Sequence, residues 1–229
     1  DGTNPFKDIR VRKALSLSID RDAIVNKLMG GLATVASQFA PSYQEGADSS
    51  MPDMAYDPDM AKKLLAEAGY SDSITLDLNV PNDRYQNGTR VAQAIAQYFT
   101  RIGVTVNLKA EPWSVFRKGR SKREFGIFMY GWGHPQGPSQ MLSYAFPSRN
   151  KELNLGVSNY SNYQNADLDA AMEKWAVETD EAKAFAYNQE AMRIAVEELP
   201  GIPLYYQHSI WAHTSAVSYT HLTLPTKRI

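Results

Sequence analysis

The sequence predicts an α/β fold, a mixed sheet with flanking helices, on three observations. Ile74, Leu76, Leu78 and Val80 alternate as in a strand, Val91, Ile95, Tyr98, Phe99 and Ile102 follow helical spacing up to Gly103, and Val104, Val106 and Leu108 alternate again. This is a β-α-β unit, whose crossover implies parallel strands joined by a right-handed connection. The third observation is residues 124–130, "EFGIFMY", which have the near-continuous apolar character of a strand covered on both faces.

The other elements follow in chain order. In residues 8–19, Ile9, Val11, Leu15 and Ile19 fall on one helical stripe, and Asp20 stands as the N-cap of a second helix, 21–29, closed by Gly30 and Gly31. Residues 32–56 are rich in Ala, Ser, Pro and Gly without periodicity and read as one long loop. Asp57 and Pro58 start a helix as acidic cap and first-turn proline, Met60, Leu64 and Leu65 share its face, and Gly69 stops it. Residues 112–120 form another short helix, and 147–164 a polar loop. Helices over 165–179 and 180–199 turn Leu168, Met172, Trp175, Phe185 and Met192 inward; residues 201–214 then read as one or two strands broken at His208 and Ser209.

Composition narrows the function. A net charge of -1 lacks the basic excess that neutralises phosphates, so nucleic acid is not expected as a partner. With 0 cysteines there are no disulfides, thiolate metal sites or thiol nucleophiles. No apolar run approaches the ~20 residues needed to span a bilayer. The chain starts at Asp1 without methionine or leader, which reads as a removed signal peptide or an internal fragment.

The most unusual stretch is 129–142, "MYGWGHPQGPSQML", at the end of the apolar strand. Its glycines suggest a phosphate loop, but the third is one place late for G-x-G-x-x-G, Trp132 sits between the first two, and Pro135 and Pro138 remove backbone donors. Ligands of open α/β sheets sit beyond the carboxyl ends of the strands, where this segment falls. Tyr130 and Trp132 offer aromatic faces there, and His134, Gln136 and Ser139 offer hydrogen bonds. The alternative is that Trp132 packs under its own loop. Asn82 and Arg84 follow another strand end and either face the same region or cap the next helix. In "SNYSNY", 158–163, the Asn and Tyr side chains suit polar solutes, but Asx turns before a helix explain the asparagines as well, so that segment is weighted toward structure. His208 and His213 lack the i, i+4 spacing of a zinc motif, and no G-x-S-x-G elbow or P-loop is present. Asp167, Asp169, Glu197 and Glu198 read as solvated helix faces. No enzymatic activity and no cofactor are expected.

The blocks "NPFKDIRVRKALSLSIDRDAIVNKLMGG", "YDPDMAKKLLAEAGY", "RVAQAIAQYFTRIGVTVNLKAEPWSVF", "FGIFMYGWG", "NYSNYQNADLDAAMEKW" and "EAMRIAVEELPGIPLYYQ" together resemble the extracytoplasmic solute-binding proteins of ABC importers, dipeptide/oligopeptide/nickel class (family 5). They occur in the family's order over nearly the whole chain. The resemblance implies one lobe of a type II periplasmic-binding-protein-like clamshell. Residues 1–217 would be the second lobe, with return strands toward the hinge near 202–214, and the first lobe would be missing. It further implies a monomeric receptor in the periplasm or cell envelope that delivers a peptide, or a sugar- or opine-like compound, to a membrane permease, with the strand-end aromatic and its loop lining the cleft. Peptide-binding members carry an aspartate in this loop, suited to an α-ammonium, whereas residues 132–141 contain no acidic side chain. An α/β hydrolase or transferase sharing the β-α-β pattern is the rival reading. Residues 218–229, "SYTHLTLPTKRI", depart from the family and resemble translated sequencing-adapter DNA, so they are read as a non-native tail.

Overall fold

The computed structural model describes residues 4–41, 43–44, 46–71, 74–133 and 138–210, and only the backbone of Pro138 and Ser139. Helix α1 (Ile9–Leu17) starts because the Asp8 carboxylate accepts the Arg10 N–H at 2.8 Å. It buries Val11, Ala14 and Leu15. Asp20 caps α2 (Arg21–Ala23) through the Ala23 N–H. The expected helix over 21–29 does not stay α-helical: it continues as a π-helical turn, Ile24–Leu28, whose last carbonyl accepts from the Asn87 side chain at 2.8 Å. The loop expected over 32–56 likewise contains a strand, β1 (Ala33–Val35). Its partner lies far downstream, so no local pattern announces it.

Asp57 caps α3 (Pro58–Glu67) as predicted, and Gly69 ends it at φ 89°. The β-α-β unit is β2 (Ile74–Pro81), α4 (Gly88–Arg101) and β3 (Val104–Glu111). Helix α5 (Trp113–Ser121) follows directly, and the expected strand over 124–130 shrinks to β4 (Ile127–Phe128). The glycine- and proline-rich stretch, expected to be a loop, gives way to helix α6 (Pro138–Ala145). Pro138 opens that helix at a position where its missing N–H is not needed. Helices α7 (Ala166–Val177) and α8 (Glu181–Glu198), capped by Asn165 and Asp180, precede β5 (Tyr205–Gln207).

The strands divide into two sheets. In the first the order is β3-β2-β4 with every pairing parallel; in the second β1 and β5 pair antiparallel. Alternate residues of β2, Ile74, Leu76, Leu78 and Val80, pack under α4 with Val91, Ile95 and Phe99, and α1 and α3 complete this cluster. A second cluster joins α6, α7 and α8 through Leu142, Phe146, Leu168, Met172 and Met192.

Two arginines tie the parts together through carbonyls. Arg12 on α1 donates to the Glu198 carbonyl at 2.8 Å and the Phe6 carbonyl at 2.7 Å. Arg21, 3% exposed, donates to the Pro203 carbonyl at 2.8 Å, to the Ser16 and Ile19 carbonyls and to the Ser16 hydroxyl. Burial pushes its guanidinium down to about 10.

On β5, the Tyr206 hydroxyl shares its one proton between the Gln38 carbonyl at 2.8 Å and the Ala40 carbonyl at 2.6 Å, and burial pushes the phenol from 10.0 up to about 12. A raised folded value means that this contribution is fully present below the unfolded value and is lost as pH climbs from there through the folded one. Denaturant unfolding should therefore show a stability gap between wild type and Tyr206→Phe that is constant up to pH 10.0 and shrinks toward about 12. A gap independent of pH over that interval would contradict the assignment.

Candidate functional site

Because β2, β3 and β4 run parallel, their carboxyl ends lie along one edge of the sheet, and the segments leaving them are brought side by side. The backbone there is tied tightly. Asn82 N–H donates to the Glu111 carbonyl at 2.9 Å, and Met129 N–H to the Asn79 carbonyl at 2.9 Å, extending both pairings past the strands. The Asp83 carboxylate accepts the Trp113 N–H at 2.7 Å, capping α5 from the neighbouring loop.

Trp113 begins α5 immediately after β3, and Phe116 and Arg120 follow it on the same stripe of the helix. Its indole stacks on Tyr130 (6.3 Å between centroids, 11° between planes) and on Phe116 (5.8 Å, 24°). Trp132 meets Tyr130 edge to face at 5.9 Å. Phe116, fully buried, also meets half-buried Phe125 and Phe128. The result is an aromatic wall that runs from buried Phe116 to exposed Tyr130 at the strand ends. Each such ring pair adds ~0.5–1.5 kcal/mol beyond its burial.

Two cations are set into this wall. The exposed Arg84 guanidinium lies 5.0 Å from the Trp113 ring. Arg120, 5% exposed, lies 4.3 Å from the Tyr130 ring, 4.3 Å from the Tyr160 ring and 5.4 Å from Trp113. Among the described residues neither arginine is within ion-pair distance of a carboxylate. Tyr160 is held in place by its neighbour Asn159, whose buried amide donates to the carbonyls of Phe146, Pro147 and Tyr163 and accepts the Tyr163 N–H.

The sequence-predicted residues fall into three groups. Tyr130, Trp132 and Arg84 are in the wall; Tyr130 is 37% exposed, and Trp132 is half-buried with its Nε1–H buried and unpartnered among the described residues. Asn82 is exposed beside Arg84 on the same loop. His134 and Gln136 lie outside the described residues, as does the side chain of Ser139 and the whole of 218–229. Three members of the wall were not foreseen: Trp113, Arg120 and Tyr160. The stripe Trp113, Phe116, Arg120 on a helix starting at a strand end is the signal that would have found two of them. Tyr160 lies in "SNYSNY", whose Asn and Tyr side chains suit a polar solute but which Asx turns explained equally well.

Two surface concavities lie elsewhere, one of about 390 Å³ beside Arg149, Asn150 and Glu173, the other of about 320 Å³ beside Phe6, Tyr70 and Ile74. What distinguishes the wall is its stacked rings and, among the described residues, the unpartnered donors of Trp132 and Arg120. Among the described residues no group of three His, Asp or Glu side chains could hold a metal, and no helix is long and apolar enough to cross a membrane.

Residues 2–154 match the family of bacterial extracellular solute-binding proteins, family 5, in its middle portion. The chain belongs to family 5. Heme-binding protein A of Haemophilus influenzae is 32% identical over 211 residues, covering 90% of this chain and 37% of that protein. Periplasmic oligopeptide-binding protein OppA of Escherichia coli is 31% identical over 209 residues, with 88% and 37% covered. Among solved structures, HbpA2 from Haemophilus parasuis superposes with a TM-score of 0.80 at 28% identity, covering 88% of this chain and 40% of that one. The two curated relatives are named as binding proteins, and the chain spans about two fifths of the length of all three.

Within the wall, Gly131 is where the chain passes the ring of half-buried Tyr85. A Cβ there would stand 2.7 Å from Tyr85 Cε1, whereas one at Gly133 would meet nothing within 4 Å. Gly131→Ala should cost ~1–3 kcal/mol by overpacking, measured by urea unfolding. Gly133→Ala should be within ~0.5 kcal/mol of wild type or slightly stabilising. Equal behaviour of the two variants would show that Tyr85 does not fix the path of this segment.

Proposed function

We propose that this chain is the second lobe of an ABC-importer receptor and that the strand-end wall is one side of its solute cleft. Residues 1–217 form the lobe, with the return toward the hinge near 202–214, and 218–229 are non-native. The observation that carries this reading is the wall itself: Trp113, Tyr130 and Trp132 with Arg84 and Arg120 beyond the carboxyl ends of three parallel strands. Aromatic faces supply contact area for apolar parts of a solute, and arginines supply directional hydrogen bonds.

An enzyme would need a nucleophile and a base converging on a reacting atom. The described side chains of the wall are aromatic rings and guanidinium groups, which bind and orient but neither attack nor accept protons at neutral pH. This favours a receptor over the hydrolase or transferase reading. Capture would proceed by closure of two lobes around the solute, a hinge motion driven by contacts to both halves. The loaded monomer then docks on a membrane permease from the periplasm or cell envelope.

The solute is a small polar molecule, a peptide or a sugar- or opine-like compound. OppA is named for oligopeptides and heme-binding protein A for heme, so the family 5 frame takes chemically different cargo. Residues 132–141 themselves carry no acidic side chain to pair with a free α-ammonium.

With half the contacts missing, the chain alone should show no tight saturable binding by calorimetry to a panel of di- to pentapeptides and opines. The receptor completed with its first lobe should bind a panel member. There, Trp113→Ala and Trp132→Ala should each weaken binding by about tenfold or more, as expected of buried aromatic anchors. Tight binding by the chain alone, or full affinity in both variants with folding intact, would refute this reading.

A further inference from the structure

Five of the seven residues over 117–123, "RKGRSKR", are basic and none is acidic, in a chain whose 24 lysines and arginines are balanced by 25 acidic residues. Arg120 is buried, but Arg117, Lys118, Lys122 and Arg123 are exposed. Of these four, among the described residues, only Lys122 has a carboxylate within ion-pair distance, Glu124 at 3.6 Å.

The topology sets this cluster apart from the strand-end wall. β3 and β4 both run parallel to β2, so α5, which leaves the carboxyl end of β3 and leads to the amino end of β4, returns along the sheet. Its 9 residues cover roughly 13 Å. Trp113 is therefore at the wall, whereas Lys122 and Arg123 are at the opposite edge of the sheet. Trp113, Phe116 and Arg120 form the inward stripe of the helix; Val115, Lys118 and Lys122, at i, i+3 and i+7, form an outward one. Val115 is 49% exposed, an apolar side chain in line with the cations.

The end of α5 carries an independent sign. Glu124 N–H donates to the Gly119 carbonyl at 3.1 Å and Arg123 N–H to the Arg120 carbonyl at 3.0 Å, a Schellman closure that puts Arg123 at φ 59°. Glycine takes such a position without strain, as Gly69 does after α3 and Gly103 after α4, both at φ 89°. Among the described residues the other non-glycine residues in this conformation are Asn87, Asn154 and Asn162, a type that tolerates it, and Leu199, which is buried. Arg123 is exposed, and its side chain makes no hydrogen bond, ion pair or ring contact that would offset the strain. The helix dipole favours cations in the last turn of α5, but it does not favour arginine over glycine here.

We infer that the outer face of α5 is a docking surface for a bilayer of anionic phospholipid. Four exposed cations around one exposed apolar residue match a negatively charged lipid interface, and a strained arginine at the helix end extends the charged surface where glycine would end it. None of the four lines either of the two concavities, so the arrangement suits an extended anionic surface rather than a single enclosed phosphate. The inference does not depend on the cleft, which is at the other end of α5.

The test is cosedimentation of the 229-residue chain with vesicles of phosphatidylcholine, alone or mixed equally with phosphatidylglycerol. In about 0.1 M salt the chain should be half-bound at about 1 mM mixed lipid, should stay in solution with phosphatidylcholine alone, and should be released by about 1 M salt. The double variant Lys118→Glu, Lys122→Glu should bind at least about tenfold more weakly. The double variant Lys62→Glu, Lys63→Glu makes the same charge change on exposed α3 residues and should stay within about twofold of wild type. Arg123→Gly should weaken binding about fivefold while leaving the melting temperature unchanged or higher, an outcome that a purely structural arginine would not give. Circular dichroism verifies that each variant is folded. Equal loss in both double variants, binding to phosphatidylcholine alone, or displacement by inorganic phosphate at matched ionic strength would overturn the inference. Failure to sediment with the mixed vesicles, together with capture on immobilised polyglutamate, would indicate an acidic protein partner and overturn it as well.

Discussion

The parallel pairing of β2 with both β3 and β4 is the constraint on which the rest depends. Its register, from Ile74 opposite Val104 to Pro81 opposite Glu111, and from Leu78 opposite Ile127, sends three chain segments out of the same edge. Hydrogen bonds from Asn82 to Glu111 and from Met129 to Asn79 carry that alignment past the strands themselves. Trp113, Tyr130 and Trp132 therefore meet although they are far apart in sequence. A slip of one residue would turn Leu76, Leu78 and Val80 out of the core and separate the rings together. Stability and site geometry are thus set by one pattern of apolar alternation.

The second organising feature is how the fold distributes its buried cations. Arg12 and Arg21 are structural braces, each spanning distant segments by donating to backbone carbonyls. They join α1 to the end of α8 and α2 to the approach of β5, and so connect elements that no shared sheet unites. Arg120 is different because its neighbours are ring faces rather than carbonyls. Among the described residues, Arg120 Nε and Nη1 have no hydrogen-bond partner, and this arginine stands among the strand-end aromatics.

What was legible in the sequence follows the range of the interactions. The β-α-β unit, α3 and the α7–α8 pair were readable because periodicity and caps are local: Asp57, Asn165 and Asp180 each cap the helix that follows them. The β1–β5 pair was not, since Ala33 finds Gln207 only through the tertiary fold. Helix α6 hid behind a stretch whose glycines and prolines argue for a loop, although Pro138 suits a first helical turn. Of the wall, Tyr130, Trp132 and Arg84 were visible as strand-end residues. Trp113 and Arg120 look, in sequence, like one stripe of a short helix, and only the placement of α5 against β4's exit shows what that stripe faces. Tyr160 lies over Arg120 in a loop that Asn159 pins through backbone carbonyls; its segment, "SNYSNY", carried a polar-solute signal that the Asx-turn reading outweighed.

A wall of stacked rings with two cations, neither within ion-pair distance of a carboxylate among the described residues, offers contact area to the apolar parts of a solute. The most direct measurement is a crystal structure of the two-lobed receptor with the solute that co-purifies with it. The account predicts solute atoms packed on Trp113, Tyr130 and Trp132. A closed receptor whose solute leaves those rings in contact with water would contradict it.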